Sequence, residues 1–243
     1  MNIGFEKIIP TPQYPQGIQA THLAGLDWSS KANVVVQFKA AIKQDLRTAQ
    51  NGRCSYCRRL LFDDIATHIE HFVEKSQYNE YAFEIQNLSL SCGTCNTQKN
   101  GYNNTFNSWL KKRAKRAGRD LQSRCPTLLY EPAAGSALPS TSQDYRWVHP
   151  HLDNYSQNIR IERGWVFVGS TLKGTRTIRS VKLNALAKIE QRALSERLAT
   201  RGGMLSTLVG AMAELNRHKA REVAATVVKV LQRRRNLMRS GAA

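Results

Sequence analysis

The sequence predicts an α+β protein, and three observations carry that expectation. Two short stretches of strand character lie close together in the first half of the chain. Apolar residues recur at helical spacing before them and again towards the C-terminus. Two Cys-x-x-Cys pairs bracket the strand region and tie it into one unit. The chain has 243 residues, enough for one large domain or two small ones. Hydrophobic residues make up 41% and charged residues 22%, which is a globular rather than a disordered composition. No stretch approaches the ~18 consecutive apolar residues of a membrane span.

The elements follow in order. Residues 1–32 are rich in Pro, Gln, Gly and Thr and read as an irregular arm laid on the domain. From Asn33 to Gln50, Val35, Val36, Phe38, Ile42 and Leu46 follow helical spacing, and Asn51-Gly52 stops that helix. Ile65 to Phe72 and Leu88 to Cys92 read as strands, joined by a loop or short helix over Lys75 to Glu84. Thr94 to Asn100 suits a helix start. Pro126 to Gln143 reads as a linker or extended surface loop. Tyr145 to Lys182 looks mainly β, with 159–162 and 165–168 paired across Arg163-Gly164. From Val181 onward the pattern is helical, broken at Gly202-Gly203, and the stripe from Leu205 to Leu231 is expected to be core or a partner-binding face. This divides the chain into an arm and helix (1–50), a central module (51–110), a basic segment and linker (111–144), and a hairpin plus helical region (145–243).

Charge narrows the partner. Lys and Arg number 36 against 18 Asp and Glu, a net charge of +18, with a pI near 10.1. An excess of this size points to a polyanion, usually nucleic acid. A membrane surface is the weaker alternative, because no lipidation motif or amphipathic N-terminal helix accompanies the charge. The first residues, MNIGFEKIIP, lack a secretory pattern. With five cysteines and no such leader, a reducing, cytoplasmic setting is expected rather than a disulfide scaffold.

Four of those cysteines form the pairs Cys54/Cys57 and Cys92/Cys95, 34 residues apart. Each tight turn can aim two thiolates at one ion, so a structural Zn²⁺ site is expected, against redox motifs or chance pairing. Cys125 reads as a small buried side chain.

Between the pairs lie His68, Glu70, His71 and Asn87, followed by Asn96 and Lys99. Phosphodiester hydrolysis needs a deprotonated water, a divalent cation on the phosphate and help for the leaving oxygen. A neutral imidazole can take the water's proton near pH 7. A carboxylate or amide oxygen can hold Mg²⁺. Adjacent residues of a regular strand face opposite ways, so Glu70 and His71 can serve one phosphate only at a strand end or bulge.

The stretch from Cys54 to Lys99 resembles an HNH endonuclease, the ββα-metal fold, with its motif held between two zinc knuckles. Glu70-His71 matches the family's acid–histidine element, Asn87 its middle asparagine, and Asn96 its third element, which is histidine in many members and asparagine in others, including CRISPR effector nucleases. The resemblance implies His71 as general base, Glu70 and Asn96 as ligands of Mg²⁺ or Mn²⁺, and Asn87 as a clamp on the loop carrying the base. Residues 69–76 and 87–96, with the stretch 149–155, also resemble HNH nucleases found with retrons and in Septu-type anti-phage systems. Zorya-type defence carries HNH effectors as well. That likeness implies an antiviral effector acting on double-stranded DNA, beside an ATPase partner.

The surrounding charge suits such a centre. Residues 54–100 hold four Lys and Arg against six Asp and Glu, a net of −2, which leaves about +20 for the rest of the chain. Lys111, Lys112, Arg113, Lys115, Arg116 and Arg119 follow the catalytic helix and are expected on the DNA backbone, as is Lys99; a solvated helix face is the alternative. Arg233–Arg235 form a second basic cluster. His149 and His151 lack a third ligand at sensible spacing. A catalytically silent DNA-binding or scaffold subunit is the competing reading of the whole.

Overall fold

The computed structural model describes residues 3–61, 67–117, 123–162 and 165–185, and within the last stretch 219–226, 228, 229 and 232. The N-terminal arm holds one helical turn, α1 (Ala20–Leu23). The first long helix, α2 (Asn33–Ala49), buries Val35, Phe38, Ile42 and Leu46, one stripe of a 3.6-residue repeat. Burying four such side chains stabilises the packed helix by roughly 1.5–3 kcal/mol each. Val36 falls off the stripe and is exposed. Asn51 and Gly52 adopt left-handed φ values of 49° and 64°, and the Gly52 amide reaches back to the Arg47 carbonyl at 2.8 Å. That six-to-one bond ends the helix where Asn-Gly predicts.

Strands β1 (Thr67–His71) and β2 (Leu88–Cys92) pair antiparallel, with Glu70 opposite Ser89 and His71 opposite Leu88. All five residues of β2 are buried, although its Leu-Ser alternation suggests one wet face. Elements cover both sides: Ser89 Oγ bonds Ser55 Oγ at 3.2 Å, while Ser91 Oγ is buried without a hydrogen-bond partner among the described residues. Gln50 fixes the middle of β2, accepting from the Leu90 amide at 2.6 Å and donating to its carbonyl at 3.0 Å. Helix α3 (Gly93–Ala117) leaves β2 without a loop. Between the strands the chain makes two 3₁₀ turns, Asn79–Tyr81 and Ile85–Asn87.

A short helix, α4 (Tyr155–Asn158), precedes the hairpin β3 (Ile159–Glu162) and β4 (Val166–Gly169). The expectation of mainly β structure over 145–182 holds for this hairpin but not beyond it, because α5 (Leu172–Ser180) follows. Thr171 starts α5 by accepting the Gly174 amide at 3.1 Å. A side chain at Gly174 would meet the Asn158 carbonyl at 1.9 Å, so glycine is what lets α5 close on α4.

The arm is tied down by the Ile8 amide on the Pro150 carbonyl at 2.8 Å. The buried Arg58 guanidinium lies between the rings of Phe5, at 3.6 Å, and Tyr155, at 4.0 Å. Two compact units result, 1–189 and 190–243. In the second, residues 219–226 are helical, Val223 is half-buried and Val228 exposed. The expected stripe at Leu205–Leu215 and the Arg233–Arg235 cluster lie outside the described residues. No helix among the described residues is long and apolar enough to cross a membrane.

Candidate active site and metal centre

The two knuckles converge. Cys54, Cys57, Cys92 and Cys95 are buried, with all four sulfurs within 4.8 Å of one another. Cys57 Sγ lies 3.9 Å from Cys92 Sγ. A tetrahedral zinc with Zn–S bonds of about 2.3 Å sets its sulfurs about 3.8 Å apart, so the cluster fits zinc. The Cys92 amide points at Cys54 Sγ (3.4 Å) and the Cys95 amide at Cys92 Sγ (3.3 Å), which favours thiolates. Among the described residues this is the one group of three or more His, Cys, Asp or Glu placed to hold an ion. Cys125 is buried apart from it, with Sγ 3.1 Å from Thr127 Oγ1.

Glu70 and His71 end β1, so one leans on α3 while the other faces the arm. Glu70 is 2% exposed, accepts from the Tyr56 hydroxyl at 3.4 Å and pairs with the Lys99 ammonium. Burial raises its pKa, and Lys99 opposes that rise. For Lys99, burial disfavours the charge, but Glu70 and Glu74 outweigh it and lift the pKa, so the ammonium stays charged. Glu74 also accepts from Asn103 Nδ2 at 2.9 Å.

The His71 ring sits edge-on to Trp28 at 4.4 Å between centroids, and its Nε2 lies 3.0 Å from the Ala82 carbonyl oxygen. A carbonyl only accepts, so Nε2 carries the hydrogen and Nδ1 keeps the lone pair. Burial, then repulsion from Lys75 and Lys99, lowers the His71 pKa to about 3. The imidazole is therefore neutral at pH 7.

The chain leaving β1 is pinned by one further backbone bond and by several side chains. Lys99 donates to the His71 carbonyl, and Thr127 Oγ1 donates to the Phe72 carbonyl at 3.0 Å. The Phe72 amide bonds the Asn87 carbonyl at 2.8 Å. The Asn87 side chain accepts from the Val73 amide at 2.6 Å and donates to the carbonyls of Val73 and Tyr81 at 3.0 and 2.9 Å. Every hydrogen-bonding capacity of that amide but one lone pair goes to the 73–81 loop. Asn96 is half-buried in the first turn of α3, three residues before Lys99.

Some positions differ from expectation. Lys99, expected on phosphate, is fully buried, because two carboxylates and a backbone carbonyl draw its ammonium inward. Lys112 is exposed on α3. Lys111, Arg113, Lys115 and Arg116 lie on that helix, with side chains outside the description, and Arg119 lies outside the described residues. His149 and His151 are buried, with no third ligand among the described residues; His151 Nε2 donates to the Leu88 carbonyl at 2.7 Å, opposite His71 in the sheet. Sequence reasoning missed Trp28, Glu74, Ala82 and Asn103. Only Glu74 carried a signal, as an acid four residues after Glu70.

No curated protein and no solved structure matches this chain. Residues 54–101 match the family model of the HNH endonucleases.

Proposed function

We propose that the chain is a metal-dependent HNH endonuclease that cleaves or nicks DNA, with His71 as general base. The tautomer of His71 carries this reading: its Nε2–H is committed to the Ala82 carbonyl, so Nδ1 is the atom that accepts a proton. In the reaction Nδ1 takes the proton from a water while that oxygen bonds to phosphorus and the P–O ester bond breaks. A low pKa keeps the ring unprotonated beforehand, and an anionic phosphate set against it raises its proton affinity.

Glu70 and Asn96 would hold Mg²⁺ or Mn²⁺. They offer only hard oxygen donors, and a magnesium site built on one carboxylate, with water and phosphate completing the shell, is ordinary chemistry for that ion. Glu70, Glu74 and Lys99 together carry one net negative charge, which suits a cation. When bound, the ion supplies Lewis-acid stabilisation of the phosphate's developing charge. Asn87 holds the loop that carries Ala82, and through it the ring of His71. Zinc at the four cysteines ties β2 and the start of α3 to the turn before β1.

The basic side chains Lys111, Lys112, Arg113, Lys115, Arg116 and Arg119 are proposed backbone contacts, consistent with a net charge of +18. The anti-phage role and the ATPase partner rest on the motif resemblance of residues 69–76, 87–96 and 149–155 alone. Nicking of supercoiled plasmid by purified protein, with Mg²⁺ and with chelator, tests the activity. Metal-dependent nicking that tracks the protein through purification supports it, and a protein that only binds supports the silent-subunit reading.

A further inference from the structure

Beyond the metal and the base, α3 carries a second chemical surface. Lys99, Tyr102 and Phe106 stand at spacings of three and four on the helix and so share a face. Tyr102 and Phe106 stack on each other, with centroids 6.1 Å apart and planes 21° from parallel. Trp147, 2% exposed, meets Tyr102 edge-on at 5.6 Å and makes the floor beneath it.

These rings line a cavity of about 320 Å³ together with Leu129, Arg146 and Arg176. Arg146 lies 5.9 Å over the Phe106 ring and is held by a 3.1 Å bond to the Leu129 carbonyl. Arg176, exposed on α5, faces the same space. The two guanidinium groups are near enough to repel: burial first, then Arg176, lowers the Arg146 pKa. Among the described residues, no Asp or Glu lines the cavity. It therefore sets an aromatic platform beside the exposed guanidinium of Arg176, with Arg146 over the Phe106 ring, which suits an anion attached to a flat ring.

We propose that this cavity holds an unpaired nucleotide of the DNA substrate, its base on the Tyr102–Phe106 platform and its phosphate on Arg146 and Arg176. The proposal rests on the nuclease reading and narrows its substrate to DNA with unpaired bases beside the cut. Aromatic stacking is open to any base, but a duplex keeps its base faces against each other, so only an unpaired base can use the platform. The placement fits. Along α3, Tyr102 is about 9 Å and Phe106 about 15 Å from Asn96 at 1.5 Å per residue. Stacked nucleotides advance about 3.4 Å each, so the platform stands a few nucleotides from the proposed metal ligand.

The test uses the full chain without added divalent metal and measures fluorescence anisotropy of a labelled (dA)₁₂ strand and of a blunt (dA)₁₂·(dT)₁₂ duplex. Phe106→Ala should weaken binding of the single strand about ten-fold, within the range for losing one base stack. Phe106→Trp should stay within two-fold of the wild type, and Arg176→Ala should weaken the single strand more than the duplex. Duplex affinity of the Phe106 variants should change less than two-fold. Equal losses on strand and duplex, or no loss on the strand, would overturn the pocket. Should Phe106→Ala melt early, exposed Arg176 carries the test alone. Cleavage is scored separately with His71→Ala. His71-dependent nicking without pocket-dependent binding removes the pocket only, and pocket-dependent binding without His71-dependent cleavage removes the nuclease reading only.

Discussion

The ammonium of Lys99 lies 2.5 Å from Glu70 Oε1, and neither side chain is more than 2% exposed. The same ammonium holds the His71 carbonyl. One buried cation thus fixes both the acid and the backbone of the adjacent histidine, from a helix that follows β2. Neighbouring residues that face opposite sides of a strand are coupled through Lys99.

That pair predicts an asymmetric response to mutation. Lys99→Met keeps the volume but leaves the Glu70 carboxylate buried with the Tyr56 hydroxyl, a change expected to cost about 3–5 kcal/mol. Lys99→Met with Glu70→Gln removes the stranded charge and should recover at least half of the loss. Urea unfolding at pH 7 measures both. A double variant no more stable than Lys99→Met would show that the pair is not what the lysine stabilises.

Asn87 makes three side-chain hydrogen bonds to the 73–81 loop. Asn87→Ala should cost roughly 2–4 kcal/mol, since it strands a buried amide and two carbonyls. Asn87→Asp keeps the acceptor for Val73 and loses both donors, so it should fall no less steeply. Thermal melts would settle it; a melting temperature within a degree of the wild type for Asn87→Ala would refute the clamp.

Cys54→Ser or Cys92→Ser should lower zinc content and unfold the first unit, because zinc binding in such small sites is folding energy. Metal analysis beside circular dichroism gives the answer. Full zinc content and an unchanged melt in either variant would remove the four-cysteine site.

Acid should destabilise the fold through its buried histidines. Burial lowers the pKa of His151 to about 4 and, with repulsion from His151 and Lys173, holds that of His149 well below the usual imidazole range. Above pH about 6.5 both folded and unfolded states hold these rings neutral, and nothing is lost. Between about 6.5 and 4 the unfolded chain takes up protons that the folded one refuses, so stability falls as pH falls. Urea midpoints at pH 7 and pH 5 should show the drop, and His151→Gln should show a smaller one, which separates the effect from acid loss of zinc. Equal drops in both proteins would exclude His151.

How much of this was legible in the sequence follows the range of each interaction. The α2 stripe, the Asn51-Gly52 stop, β2 and the paired cysteines are local patterns, and each is found where its spacing sets it. Helix α5 was missed because Leu172–Ser180 carries no apolar stripe; it buries Gly174, Thr177 and Ser180, and small polar residues leave no period to read. Trp28 and Ala82 could not be tied to His71, since the first is 43 positions away and the second acts through a backbone carbonyl, which no side chain announces. Lys99 was placed on the surface because a lysine on a helix usually is; two acids brought beside it by β1 reverse that.

The central claim is that His71 Nδ1 takes the proton from the attacking water. Nicking of supercoiled plasmid by His71→Ala and Glu70→Ala, followed across a Mg²⁺ and Mn²⁺ titration with DNA binding measured separately, tests it most directly. His71→Ala should bind DNA as the wild type does and lose about 10²–10⁴ in nicking rate at every metal concentration, because the missing step is proton transfer. Glu70→Ala should regain part of its activity as metal rises, since mass action refills a weakened site. Wild-type nicking by His71→Ala would contradict the mechanism outright.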